Sequence, residues 1–202
     1  MIDPNNITNF NRTDDELEEF MLFCPAVAGK TAKTAANALD DFLNSQVNLK
    51  ESQLIPDIAM SPFKYVQCLM DYYKDGNKFL YYQIKLSGLG KYWTLYNCYR
   101  ELVKADLDLR KCTAQDLENI YGIGFKTSRY FLVHSRPAQK LAILDTHILK
   151  FMREEMKVDT PKSTPQSAKK YYELEKLFVK EASNQKKSVA QLDLEIWNMY
   201  SR

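Results

Sequence analysis

Two residues of opposite charge, Lys126 and Asp145, combine position and residue type in a way that could do chemistry. Lys126 follows the triplet Gly122-Ile123-Gly124 by two residues and falls in the first turn of the helix that the triplet opens. A cation is disfavoured there by the helix dipole, so the lysine asks for a reason. One reason is reactivity: partial burial and local positive potential raise the neutral, nucleophilic fraction of an amine. Asp145 opens another helix and is the only acid between Gly122 and Arg153. A carboxylate in such a place stabilises positive charge developing on a substrate, although N-capping by itself would explain it. The Gly-Ile-Gly turn supplies the third part. Two glycines around one apolar residue allow a tight helix–helix turn whose free backbone N–H groups can hold a phosphate without reading sequence. An ordinary glycine corner is the plainer reading of the turn alone.

The charge distribution points the same way. The 202 residues carry 28 bases and 26 acids, a net charge of +2 that argues against a partner held by bulk electrostatics. That total hides a partition: residues 1–60 hold four bases and ten acids, whereas residues 61–202 hold 24 and 16. Between Gly122 and Arg153 six bases (Lys126, Arg129, Arg136, Lys140, Lys150 and Arg153) accompany Asp145 alone. Such asymmetry points to an anionic partner, with a solvated basic face as the plainer alternative. Cys24, Cys68, Cys98 and Cys112 make no C-x-x-C pair, and His134 and His147 are no helical ligand pair, so no metal or iron–sulfur pattern is present. The polar start and the lack of a long apolar run lead us to expect a soluble intracellular protein of the cytoplasm, nucleoid or nucleus, with no membrane contact. Ala28-Gly29-Lys30-Thr31 imitates the end of a phosphate-binding loop, but Cys24 stands where its first glycine is required.

The elements that must position these groups read as helices throughout. Thr13 and Glu16 form a capping box ahead of Leu17, Phe20, Met21 and Cys24 at helical spacing. Ala32 to Leu43 marks a second helix, and Phe63 to Tyr72 a third that ends near Asp75-Gly76-Asn77. Lys78–Leu86 reads equally as helix or extended chain. Gly88-Leu89-Gly90 opens a helix through Trp93, and Thr113 caps one carrying Leu117, Ile120 and Tyr121. After the glycine turn come Phe125–His134, the Asp145-capped helix, a helix over Ala168–Phe178, and a last one from Val189 to Tyr200. The chain is therefore expected to be all-α, with nine or ten helices, and with Trp93 and Trp197 in the core. Asp193 falls inside the apolar arc of the last helix, as a buried acid with either a structural partner or a base contact.

Leu117-Glu118-Asn119-Ile120-Tyr121-Gly122-Ile123-Gly124-Phe125-Lys126-Thr127-Ser128, followed by Ile143-Leu144-Asp145-Thr146-His147-Ile148, closely resembles the helix-hairpin-helix (HhH-GPD) DNA glycosylases of the endonuclease III and 8-oxoguanine glycosylase superfamily. The match is carried by residues 113–153. Leu192-Asp193-Leu194-Glu195-Ile196-Trp197 is similar to the closing segment of the archaeal 8-oxoguanine branches. The resemblance implies one glycosylase domain over residues 1–202, with two helical lobes, the active site between them, and N- and C-terminal helices sharing a lobe. It implies a base-excision repair enzyme with lyase activity that acts as a monomer on double-stranded DNA containing a damaged base, without cofactor or metal. Lys126 would attack the sugar C1′ and form a Schiff base, and Asp145 would assist it and stabilise oxocarbenium-like charge. Gly122, Ile123, Gly124, Thr127 and Arg129 would hold DNA, and Asp193 and Trp197 would meet a flipped base. The missing four-cysteine cluster separates the chain from the iron–sulfur branch and favours 8-oxoguanine. Pro137 is only an approximate counterpart of the family's loop proline. Oxidised pyrimidines or alkylated purines are the alternative substrates, and a non-catalytic DNA-gripping hairpin is the alternative class. Such a hairpin needs the glycines but not the Lys–Asp pair.

Overall fold

Helix starts in this chain are written in its hydroxyl and carboxyl side chains. Thr13, Thr31, Ser61, Thr113 and Asp145 each accept a backbone N–H of the first turn that follows, satisfying donors that no carbonyl of the helix can reach. Thr13 with Glu16, and Thr113 with Asp116, close reciprocal capping boxes. The computed structural model describes residues 2–72 and 78–200. Among these there are ten helices and no strand, so the all-α expectation holds. The expected end of the third helix at Asp75-Gly76-Asn77 lies outside the described residues.

The chain divides into two compact units, residues 1–7 with 11–123 and residues 8–10 with 124–202. The first contains α1 (Asp14–Ala26), α2 (Ala32–Glu51), α3 (Pro62–Asp71), α4 (Phe79–Leu86), α5 (Tyr92–Ala105) and α6 (Ala114–Glu118). Its core gathers Phe20, Phe23, Leu39, Phe42, Tyr65, Leu69 and Tyr99, all essentially inaccessible. The two tyrosines bring polar ends inside, and both are satisfied. Tyr99 donates to the Leu22 carbonyl at 2.9 Å, and the Tyr65 hydroxyl lies 2.7 Å from Ser45 Oγ. The segment that read both ways is helical: Leu80, Gln83 and Ile84 are its buried residues, at the spacing of one helix face.

The second unit contains α7 (Phe125–Ser135), α8 (Thr146–Glu154), α9 (Ala168–Asn184) and α10 (Val189–Tyr200). Helix α10 packs on the other three. Its core joins Ala142–Leu144 with Leu149, Met152, Tyr171, Phe178, Leu192 and Ile196. Helices α1 and α2 belong wholly to the first unit, and only Thr8–Phe10 joins the second. That short segment is tied by the Asn9 N–H to the His134 carbonyl at 3.1 Å and by Thr8 Oγ1, 2.8 Å from His134 Nδ1.

The tryptophans correct an expectation. Trp93 is 57% exposed and Trp197 41%, so neither is core. Helical spacing locates a residue on a face but does not say that the face is covered.

Candidate functional site

Asp145 is delivered by an unusual piece of chain. Ala142, Ile143 and Leu144 are buried yet non-helical, so their backbone groups have neither a helix nor a sheet to bond to. Side chains take that part. The Ala142 N–H donates to Glu175 Oε1 at 2.9 Å, and the Tyr171 hydroxyl donates to the Ala142 carbonyl at 2.8 Å while accepting the Leu144 N–H at 3.3 Å. Thr164 Oγ1 donates to the Leu144 carbonyl at 2.8 Å. Burial keeps the Tyr171 phenol neutral by raising its pKa, so both bonds persist well above neutral pH. Glu175 is fixed in turn by Arg129 Nε at 3.1 Å. The Arg129 guanidinium lies over the rings of Tyr171, Phe125 and Tyr172, 5.2, 5.5 and 5.6 Å from their centroids.

At the end of this segment Asp145 caps α8. Its Oδ1 accepts the N–H groups of His147 and Ile148, each at 2.9 Å, which leaves Oδ2 outside the cap. Burial raises the carboxyl pKa above its ordinary value; the Ile148 N–H opposes this, the Asp193 charge adds to it, and the Lys126 and His147 charges oppose it. Lys126 is thus close enough for its charge to act on Asp145. Lys126 itself is half-buried in the first turn of α7, a helix capped by Gly124 with no side-chain cap and no acid in its first turn.

The two glycines of the hairpin serve different ends. Gly122 adopts φ +84°, and a Cβ there would stand 3.2 Å from Thr94 Cγ2, so both backbone and space require glycine. Ile123, the last residue of the first unit, is buried, and its N–H reaches the Ile120 carbonyl at 3.1 Å. Gly124 is extended, and a Cβ on it would meet nothing within 4 Å. Its lack of a side chain leaves the start of α7 uncovered. Thr127 is half-buried on the same turn.

Three predicted residues are placed differently from one another. Arg129 is 3% exposed and committed to Glu175 and to Ser128 Oγ at 2.9 Å. α7 turns this position inward, so the guanidinium is spent inside the second unit. Asp193 is buried with Oδ2 3.3 Å from His134 Nε2, and its charge acts on Asp145. Trp197 is exposed and stands edge-on to His147, ring centroids 6.0 Å apart, two residues along from Asp145. Sequence reasoning missed Glu175 and Thr164 and passed over Tyr171 as one residue of the Ala168–Phe178 helix. The available signal was Tyr171 and Glu175, two hydrogen-bonding side chains four residues apart on an apolar helix face.

Among the described residues no group of three His, Cys, Asp or Glu side chains is placed to hold a metal, and no helix is long and apolar enough to cross a membrane. A groove of the first unit, lined by Leu17, Phe63, Val103, Leu107 and Arg110, contains none of the predicted site residues.

The family model for 8-oxoguanine DNA glycosylase (Ogg-HhH) matches residues 4–187. Among solved structures, the Methanocaldococcus jannaschii 8-oxoguanine glycosylase/lyase, in complex with a 15mer DNA containing 8-oxoguanine, superposes with a TM-score of 0.58. The alignment covers 98% of this chain and 87% of that one at 20% identity, a likeness of fold.

Proposed function

Because the chain belongs to the 8-oxoguanine DNA glycosylase family, we propose that it excises 8-oxoguanine from duplex DNA and cleaves the strand through a covalent intermediate on Lys126. The observation that carries this reading is the pairing of a half-buried lysine and a capped, charge-coupled aspartate at two helix N-termini of one unit.

Asp145 Oδ2, free of the cap, faces the positive charge that builds on the sugar as the glycosidic bond breaks. The neutral Lys126 amine forms a bond to C1′, and the base leaves with the glycosidic electron pair, taking up a proton. The ammonium formed on Lys126 gives a proton to the carboxylate, and ring opening makes the C1′ imine. Loss of a C2′ proton then expels the 3′ phosphate by β-elimination, and water releases the lysine. Phosphates are held without sequence readout at the uncapped start of α7, by the N–H groups beyond Gly124 and by Thr127. Trp197 offers its exposed ring to the extruded base. Both reacting groups come from one chain, which supports action as a monomer.

Borohydride trapping on duplexes with single defined lesions tests the reading. A covalent adduct is expected with 8-oxoguanine opposite cytosine, weaker or none with oxidised pyrimidines or alkylated purines. Lys126→Gln should lose the adduct and strand cleavage by on the order of 10⁴-fold. An adduct that persists in that variant assigns the nucleophile elsewhere.

A further inference from the structure

One buried pair of titratable side chains in the second unit takes no part in the excision steps. His134, in the last turn of α7, is wholly inaccessible, and its ring is held on both sides. Thr8 Oγ1 lies 2.8 Å from Nδ1, and Asp193 Oδ2 lies 3.3 Å from Nε2. The Tyr130 ring meets it edge-on with centroids 5.0 Å apart, and the His134 carbonyl accepts the Asn9 N–H at 3.1 Å. Two lone pairs facing each other at this separation would repel, so a proton lies between Nε2 and the carboxylate. A carboxylic acid is ordinarily a stronger acid than an imidazolium, which leaves that proton on nitrogen and the charge on oxygen. On the other side the Thr8 hydroxyl serves either form of the ring: it donates to a bare Nδ1 and accepts from a protonated one. Nε2–H can thus stay toward Asp193 whether the ring is neutral or charged.

Asp193 occupies a junction. Helix α10 packs on both α7 and α8; one oxygen of Asp193 faces His134 on α7, and its charge reaches Asp145 at the start of α8. Among the described residues, the titratable groups that surround this line are Tyr130 and Lys126 of α7, Asp145 and His147 of α8, and Tyr171 of α9. Lys126 and His147 act on Asp145 against Asp193, and Tyr171 stays neutral. A buried carboxylate keeps its charge only beside a partner; deprived of one, it takes up a proton instead.

We propose that His134 is a positioning residue of the excision site: oriented by Thr8, it keeps Asp193 charged, and charged Asp193 keeps Asp145 ready to take a proton. The proposal rests on the excision reading, in which that proton comes from the Lys126 ammonium. Being wholly buried, His134 acts through Asp193 and not on DNA. The benefit is one of matching, since a proton acceptor works best when its affinity for the proton suits the working pH.

The Asp145 carboxyl carbon, followed by NMR in protein isotopically labelled at aspartate and assigned with Asp145→Asn, reports the titration directly. In the parent its midpoint lies above the ordinary aspartate value. Asp193→Asn should bring that midpoint down, because the neighbouring charge is gone. His134→Leu should bring it down to the same extent, with no further shift in the double variant. His134→Gln, whose amide N–H can stand where Nε2–H stands, should hold the parent midpoint, and Thr8→Val should give part of the shift. A pair that merely braces the fold would lower Tm in these variants and leave the midpoint where it was. An unmoved or raised midpoint in His134→Leu, or a double variant shifted further than Asp193→Asn, overturns the assignment. Should His134→Leu not fold, Thr8→Val decides, and an unmoved midpoint there overturns it equally. Single-turnover excision from an 8-oxoguanine duplex is measured on the same preparations, and the acid limb of its rate profile should move to lower pH in His134→Leu. The expected titration in a parent that does not cleave counts against the excision reading alone, and cleavage with an unmoved midpoint against this one.

Discussion

The N-termini of α7 and α8 present the same electrostatic problem and resolve it with opposite signs. Each exposes backbone N–H groups at the positive end of a helix dipole. At α8 the chain fills the position itself, with Asp145 Oδ1 on two N–H groups at 2.9 Å. At α7 it places Gly124, which caps nothing, and then adds Lys126 to an end already positive. One terminus is closed from within, and the other has no side-chain cap. Under the proposed function the comparison explains why the lysine is tolerated: it would belong to a site completed by phosphate, and the neighbouring carboxylate offsets its charge.

Asp145→Asn attacks the closed side. Asparagine caps as well as aspartate but carries no charge, so base excision should fall about 10² to 10³-fold, measured by single-turnover release of 8-oxoguanine. Stability should move the other way. Asp145 has a folded-state pKa above that of the unfolded chain, so ionisation destabilises the native form, progressively as pH rises from the ordinary carboxylate range to the raised value. The variant and wild type should therefore match in Tm in strong acid. The variant should melt higher at neutral pH; a lower Tm there breaks the account of the cap.

Gly124→Asp makes the open terminus resemble the closed one. A side chain at residue 124 meets nothing within 4 Å and the backbone is extended, so the fold should hold and Tm rise slightly. Duplex affinity should fall about tenfold in a filter-binding titration, as a carboxylate displaces phosphate.

Tyr171→Phe leaves both termini intact but releases the segment that aims one of them. The Ala142 carbonyl and Leu144 N–H lose their partner, costing about 1–3 kcal/mol of stability, readable as a Tm lower by roughly 2–10 °C. Turnover should drop several-fold with KM little changed, since the phenol touches no DNA.

The smallest effect belongs to Asp193→Asn. Asp193 raises the Asp145 pKa, so neutralising it should move the acid limb of the rate profile to lower pH. Base preference should stay as it was; a changed preference would restore a direct base contact for Asp193.

Helix positions were legible because their signals are local. Thr13, Thr113 and Asp145 announce helix starts within four residues of themselves, and the α10 bounds match the expected Val189–Tyr200. Lys126 and Asp145 stood out as candidates because each is a charge out of keeping with its surroundings. What was not legible depended on contacts between distant residues. Arg129 counts as one more base in a basic stretch until Glu175, 46 residues later, turns it into an internal strut. The covering of a face is likewise a tertiary fact, which is why Trp93 and Trp197 misled. Lys78–Leu86 had too few residues for its period to choose between helix and extended chain.

The buried stretch held by Thr164, Tyr171 and Glu175 also sets a schedule. A ribosome-bound chain that has emerged only as far as α8 already possesses both Lys126 and Asp145, yet the donors and acceptors of Ala142–Leu144 have no partners. On the proposed function, competence awaits synthesis of residue 175 and docking of α9, so the nascent chain would carry both reacting groups and still be unable to cut.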